Sequence, residues 1–160
     1  APGMNRSFAA EAFPAFQSDL WQYARDEARA NIITDSTFEV QASDIDPECV
    51  RIATESAKRA SVDSHVICRQ ANALDITSDG RKGTIVTNPP YGERLMTQDE
   101  AMQLYRDMGR AFSALGRWQI YVLTPNEEFE KLYGRRADKV RKLYNGMIPC
   151  LFYQFFKPKN

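Results

Sequence analysis

The sequence predicts an α/β domain with a mostly parallel sheet and a closing antiparallel hairpin. Three observations predict it. Short apolar or alternating runs recur between stretches of helical spacing, the order that builds strand–helix–strand units. One strand-like run stops at Asp46-Pro47, a capping carboxylate followed by a proline suited to a first helical turn. Near the end, Asn145-Gly146 separates two extended runs, a strong short-range hairpin signal.

In chain order, an irregular aromatic stretch (Phe8, Phe13, Pro14, Phe16) reads as a packed connection. Ser18 is the expected cap of a helix running to about Ala30, with Trp21, Ala24 and Ala28 on one face. Thr37 to Ser43 alternates as a strand does. The helix after Asp46 buries Val50, Ala53, Ala57 and Ala60. His65–Arg69 and Thr84–Thr87 read as two further strands. Met102, Tyr105, Met108 and Phe112 stripe a long helix over Gln98–Leu115, ended by Gly116. Gln119–Leu123 is a fourth strand, and Asn126 is placed to cap a short helix over Glu127–Tyr133. Val140–Tyr144 and Ile148–Phe156 complete the hairpin.

With 160 residues, 43% hydrophobic and 26% charged, the chain is expected to form one domain over 1–160 of ordinary globular composition. No apolar run reaches the roughly 20 residues of a membrane span, and the sequence opens on no secretory leader. Cys49, Cys68 and Cys150 are odd in number and widely spaced. They predict neither a disulfide framework nor a zinc site, but reduced thiols of a cytoplasmic protein. His65, the single histidine, reads as structural, and nothing suggests a metal. The formal charge of zero joins two unlike parts. Residues 1–130 hold 13 Lys/Arg against 20 Asp/Glu, whereas 131–160 hold 8 Lys/Arg against Asp138 alone. A basic end of this kind either faces phosphates or is a solvated strand edge protected by lysines.

Asn88-Pro89-Pro90-Tyr91 directly follows the apolar strand Thr84–Thr87. An exocyclic amine or side-chain amide is a poor nucleophile because its lone pair is delocalised. Two hydrogen-bond acceptors that hold both N–H groups steer that lone pair towards a methyl donor. The Asn88 amide oxygen and the Pro89 carbonyl suit this role, and consecutive prolines preorganise the backbone that presents them. Tyr91 adds an aromatic face for a flipped-out base or a planar amide. A Pro-Pro turn with an Asn cap is the plainer alternative. Asp44 ends a strand where nucleotide-binding α/β folds hold an acidic ribose ligand, with Ile45 set to lie on an adenine; the alternative for Asp44 is a turn residue. Asp46 is explained by capping. Asn72, after the second strand, is placed either to bond an adenine edge or to serve its own loop.

Ser43-Asp44-Ile45-Asp46-Pro47, the Asn72 segment and Thr87-Asn88-Pro89-Pro90-Tyr91-Gly92-Glu93-Arg94-Leu95 together resemble one family. It is the RNA methyltransferase family whose members usually carry an N-terminal THUMP module, including the bacterial 23S rRNA guanine-N2 methyltransferases. The likeness extends from Ala1-Pro2-Gly3-Met4-Asn5-Arg6-Ser7-Phe8 to the late Lys142-Leu143-Tyr144-Asn145-Gly146 run. It implies a Rossmann-like S-adenosylmethionine-dependent methyltransferase fold, with Asn88, Pro89, Pro90 and Tyr91 at the target amine. Asp44, Ile45 and Asn72 would hold S-adenosylmethionine, although the family usually has Asp at the position of Asn72. The partner it implies is RNA, 23S rRNA above all, and the modified atom guanine N2. Asn-Pro-Pro-Tyr is also shared by adenine-N6 DNA methylases and protein-glutamine methylases, and a non-enzymatic RNA-binding piece is a further alternative. The family's first strand and glycine-rich turn are absent from this sequence. The chain is therefore expected to be truncated at its N-terminus, and on its own a weak cofactor binder.

Overall fold

The computed structural model describes residues 3–33, 35, 37–92 and 96–156, so Glu93, Arg94 and Leu95 of the motif's extension, and Lys157 and Lys159 of the basic end, lie outside the described residues. Two compact units divide at Gln70 and Ala71.

In the first unit, α1 (Ser18–Ala30) begins one residue earlier than the capping expectation, because Gln17 rather than Ser18 occupies the N-cap. Trp21, Arg25 and Ala28 form its half-buried face, so Arg25 replaces the expected Ala24. The exchange is electrostatic: Arg25 donates to Glu11 at 2.5 Å and to the Arg6 carbonyl at 3.0 Å. That guanidinium bond, helped by the Phe8 amide, holds the Glu11 carboxyl below its ordinary range. β1 (Val40–Asp44) pairs in parallel with β2 (Val66–Gln70), Asp44 opposite Gln70. Between them α2 (Pro47–Arg59) starts as the sequence predicts, Asp46 accepting from the Glu48 amide at 2.8 Å. Ala57 is the one fully buried apolar residue among those described in this unit, and the expected stripe member Ala60 is exposed at the C-cap. His65 stacks on Phe38 with ring centroids 4.9 Å apart, in keeping with a structural role.

The second unit holds the core. A 3-10 turn over Ala73–Asp75 precedes β3 (Thr84–Thr87), α3 (Gln98–Ser113), β4 (Gln119–Thr124), α4 (Phe129–Tyr133), β5 (Lys139–Asn145) and β6 (Ile148–Phe155). The start of α3 is locked by a reciprocal capping box between Thr97 and Glu100. The α3 stripe Ala101, Tyr105, Met108 and Phe112, with Ala101 in the place expected of the half-buried Met102, packs with Ile120, Val122, Phe129, Tyr133, Tyr153 and Phe155. Strand order is β3-β4-β6-β5. β3 and β4 are parallel, while β6 runs antiparallel to both β4 and β5. With the β1–β2 pair, the described pairings divide evenly between parallel and antiparallel, because the last strand inserts between β4 and β5. The closing hairpin is present with its turn displaced by one residue. Its central residues are Gly146 and Met147, Gly146 alone taking positive φ (62°), the type II′ pattern. Asn145 is therefore the last residue of β5 rather than a central turn residue.

Among the described residues no helix is long and apolar enough to cross a membrane.

Candidate functional site

Parallel pairing makes β3 and β4 finish at the same end of the second unit's sheet. The register Thr124↔Leu151 brings the β5–β6 turn to that end as well. Asn88-Pro89-Pro90-Tyr91 leaves β3 there, with Asn88 exposed, Pro89 buried and Pro90 and Tyr91 half-buried.

A chain of hydroxyls holds the loop from below. The Asn126 amide donates to the Thr124 hydroxyl oxygen at 3.2 Å, and Thr124 and Tyr105 hydroxyls are 3.0 Å apart. The Tyr105 hydroxyl donates to the Pro90 carbonyl at 3.0 Å. Since Tyr105 has one hydrogen and spends it on Pro90, Thr124 is the donor between the two hydroxyls. Both side chains are 0% exposed, so the link between their hydroxyls is made in a low-dielectric interior, where an unmade bond is costly. Burial raises the Tyr105 phenol above its ordinary value and keeps it a donor. The sequence signal for this role was a tyrosine within an otherwise apolar helical stripe, a polar tip that needs a partner when buried.

From above, the Tyr91 hydroxyl donates to the Asn88 side-chain oxygen. Asn145 Nδ2 donates to the Tyr91 oxygen at 3.3 Å, and Cys150 Sγ lies 4.0 Å from it. Burial raises the Tyr91 phenol above its ordinary value, opposed by the Asn145 bond. The backbone then turns at Gly92 with φ +85°, so close to α3 that an added Cβ would meet the Gln98 Cα at 2.7 Å. Among the described residues no donor reaches the Pro89 carbonyl, whereas the Pro90 carbonyl is satisfied by Tyr105. The Asn88 oxygen thus meets the Tyr91 hydroxyl at the end of β3.

In the first unit, Asp44 closes β1 at its carboxyl end and spends one oxygen on the Asp46 amide at 2.9 Å. Ile45 is 69% exposed, and its carbonyl accepts from Gln70 Nε2 at 2.9 Å. Asn72 in the second unit caps the 3-10 turn, its Oδ1 accepting from the Leu74 amide at 3.0 Å, and its Nδ2 meets no acceptor among the described residues. The basic end splits in two. Arg135 bonds Asp138 at 3.1 Å and the Phe156 carbonyl at 2.8 Å, and its guanidinium sits 5.5 Å from the Phe155 ring centroid, so it clasps the chain end. Lys139, Arg141 and Lys142 lie exposed on β5, the sheet's outer strand, with no ion pair among the described residues. Nor do the described residues contain a cluster able to hold a metal ion.

A family model described as "RMKL-like, methyltransferase domain" matches residues 1–154. The chain is 43% identical over 156 residues to the "Putative RNA methyltransferase YpsC" of Bacillus subtilis (strain 168), covering 98% of this chain and 40% of that protein. It is 34% identical over 157 residues to the "Ribosomal RNA large subunit methyltransferase K/L" of Shewanella frigidimarina (strain NCIMB 400), covering 95% of this chain and 22% of that protein. The solved structure of SMU.472, "a putative methyltransferase complexed with SAH", aligns with a TM-score of 0.90 at 35% identity, over 99% of this chain and 42% of that one. The chain thus spans less than half the length of these relatives.

Proposed function

The chain belongs to the RMKL-like methyltransferase domain family, and on that premise we propose that it carries the target-amine site of an S-adenosylmethionine-dependent RNA methyltransferase acting on guanine N2 of 23S rRNA. The reading rests on the Asn88 oxygen, which accepts from the Tyr91 hydroxyl, and on the Pro89 carbonyl, which meets no donor among the described residues. The two oxygens accept the amine's N–H groups and Tyr91 stacks on the base. Neither oxygen is a base, so they orient the nitrogen, and the proton it loses goes to water. The low reorganisation cost comes from the prolines and from the Tyr105 bond to Pro90.

Within the first unit, the exposed carboxylate of Asp44 and the apolar surface of Ile45 fit a ribose diol and an adenine face. Bound S-adenosylmethionine supplies an electrophilic methyl group on a sulfonium sulfur, and the SAH in the SMU.472 structure is the product of such a donor. Support for a ribosomal RNA target comes from the 34% identical Shewanella relative. The test is to methylate 23S rRNA with the full natural polypeptide and map the methyl. Guanine N2 is expected; adenine N6, or label on protein or DNA instead of RNA, would overturn the assignment.

Charge on β5 supports an RNA partner and selects a face. Side chains alternate along a strand, so Lys139, Arg141 and Asn145 share the face that meets Tyr91, and Lys142 lies on the other. The two cations sit about 7 Å apart by strand geometry, near the spacing of phosphates in an extended strand. Reversing both Lys139 and Arg141 to Glu is expected to raise KM for RNA about tenfold and to flatten its salt dependence. Lys142→Glu is expected to change KM less than about threefold. Equal effects of the two would refute this choice of face.

A further inference from the structure

The Asn88 carboxamide can present either its oxygen or its NH2 towards a bound amine, and only the oxygen can accept. What decides the orientation is a second-neighbour contact. Asn145 Nδ2 donates to the Tyr91 oxygen at 3.3 Å, and the Tyr91 hydroxyl hydrogen is then directed at Asn88 Oδ1. A phenol has one hydrogen. With a donor at its oxygen, that hydrogen is left for Asn88, and Asn88 must meet it with Oδ1. The carboxamide oxygen has a second lone pair that stays available to the target amine.

The geometry points to Asn145 as a positioning residue for the amine-binding oxygen of Asn88, acting through the Tyr91 hydroxyl. This rests on the methyltransferase reading above and deepens it. Three observations carry it. Asn145 is not a central residue of the hairpin turn, since Gly146 and Met147 take those places, so its side chain is not consumed by the turn. The register Asn145↔Ile148 and Leu143↔Cys150 puts Asn145 and Cys150 on one face of the hairpin, and both reach the Tyr91 oxygen from that face. Finally, the Tyr91 phenol is raised by burial and remains protonated at neutral pH, so it donates throughout the working range. The sequence separation between Asn145 and Tyr91 is 54 residues, so the link exists only in the folded sheet.

The experiment uses the full natural polypeptide, a 23S rRNA transcript and tritium-labelled S-adenosylmethionine. Asn145→Ala removes the donor. Asn145→Asp keeps the side chain's shape but substitutes an acceptor, which draws the Tyr91 hydrogen away from Asn88. Both are expected to lower kcat about tenfold, the value of one hydrogen bond, with KM for RNA within about twofold. In a Tyr91→Phe background, Asn145→Ala is expected to cost less than about twofold more, because its route to Asn88 is already cut. An equal loss in both backgrounds, or a loss confined to KM, would overturn the assignment and leave Asn145 a hairpin or RNA contact. A second readout needs no RNA. The side-chain amide resonances of Asn88 are expected to shift in the same direction in Asn145→Asp and Tyr91→Phe. If they stay put in Asn145→Asp, the relay is refuted. If they shift and yet Asn88→Ala methylates normally, the relay stands and the methyltransferase role of Asn88 fails instead.

Discussion

Asn88→Ala is expected to lower kcat for RNA methylation by about 100- to 1,000-fold, the usual cost of deleting one preorganised polar group at a reacting centre. The amine then keeps one acceptor, the Pro89 carbonyl, and its lone pair is no longer steered. The same substitution also strands the Tyr91 hydroxyl, which donates to Asn88 in the resting site. Affinity for S-adenosylmethionine should be unchanged within about twofold, since Asn88 is not among the residues proposed to hold that group. Asn88→Asp retains an acceptor and should keep far more activity than the alanine variant. Steady-state kinetics with a 23S rRNA transcript, paired with a calorimetric titration of the cofactor, reads both quantities. An alanine variant within about threefold of wild type in kcat would remove Asn88 from the reaction.

The second large effect concerns Gly109, inside α3. Replacing a mid-helix glycine by alanine ordinarily stabilises by about 1 kcal/mol through lost unfolded-state freedom. Here the sign should reverse. A Cβ on Gly109 would lie 2.0 Å from the Tyr133 carbonyl oxygen and 2.8 Å from its carbon, and backbone cannot yield as a side chain can. α3 and α4 would have to separate, opening the packing of Phe129 and Tyr133 against the rest of the core. A net loss of about 1–3 kcal/mol follows, the common cost of overpacking. Gly109 also lies one turn beyond Tyr105 on the same helix face, so the shift should loosen the hydroxyl's hold on Pro90 and lower kcat as well. Amide hydrogen exchange in α3 and α4, together with urea unfolding, measures the first effect. A variant as stable as wild type would show that the two helices do not approach as closely as described.

Much of this molecule was legible locally. The Asp46-Pro47 start of α2, the stripe of α3 (apart from Met102, displaced by Ala101) and the strand before Asn88 depend on neighbours a few residues away, and the structure contains each of them. Ser18 was misread as a cap because a serine before a helical stripe suits both the capping position and the first turn; Gln17 takes the cap without a side-chain bond. Ala24 lost its place on the buried face to Arg25 because an ion pair with Glu11, 14 residues earlier, outweighs hydrophobic periodicity. The basic end showed as a charge count, which cannot separate Arg135, engaged with Asp138 and the Phe156 carbonyl, from Lys139 and Arg141, which are not.

For the candidate site, Asn88-Pro89-Pro90-Tyr91 was determined by the sequence alone, because the chemistry resides in consecutive residues and in the strand that precedes them. What only the tertiary structure decided is everything that holds those four residues still. Tyr105 reads as one more core residue until the fold brings its hydroxyl to Pro90 and Thr124. Asn145 reads as a turn residue until β6 inserts between β4 and β5 and carries the hairpin to Tyr91. Caps, turns and stripes arise from short-range sterics and hydrogen bonding that the chain encodes in order. Contacts across 15, 19 or 54 residues depend on strand order and register, which are settled only when the whole core is buried.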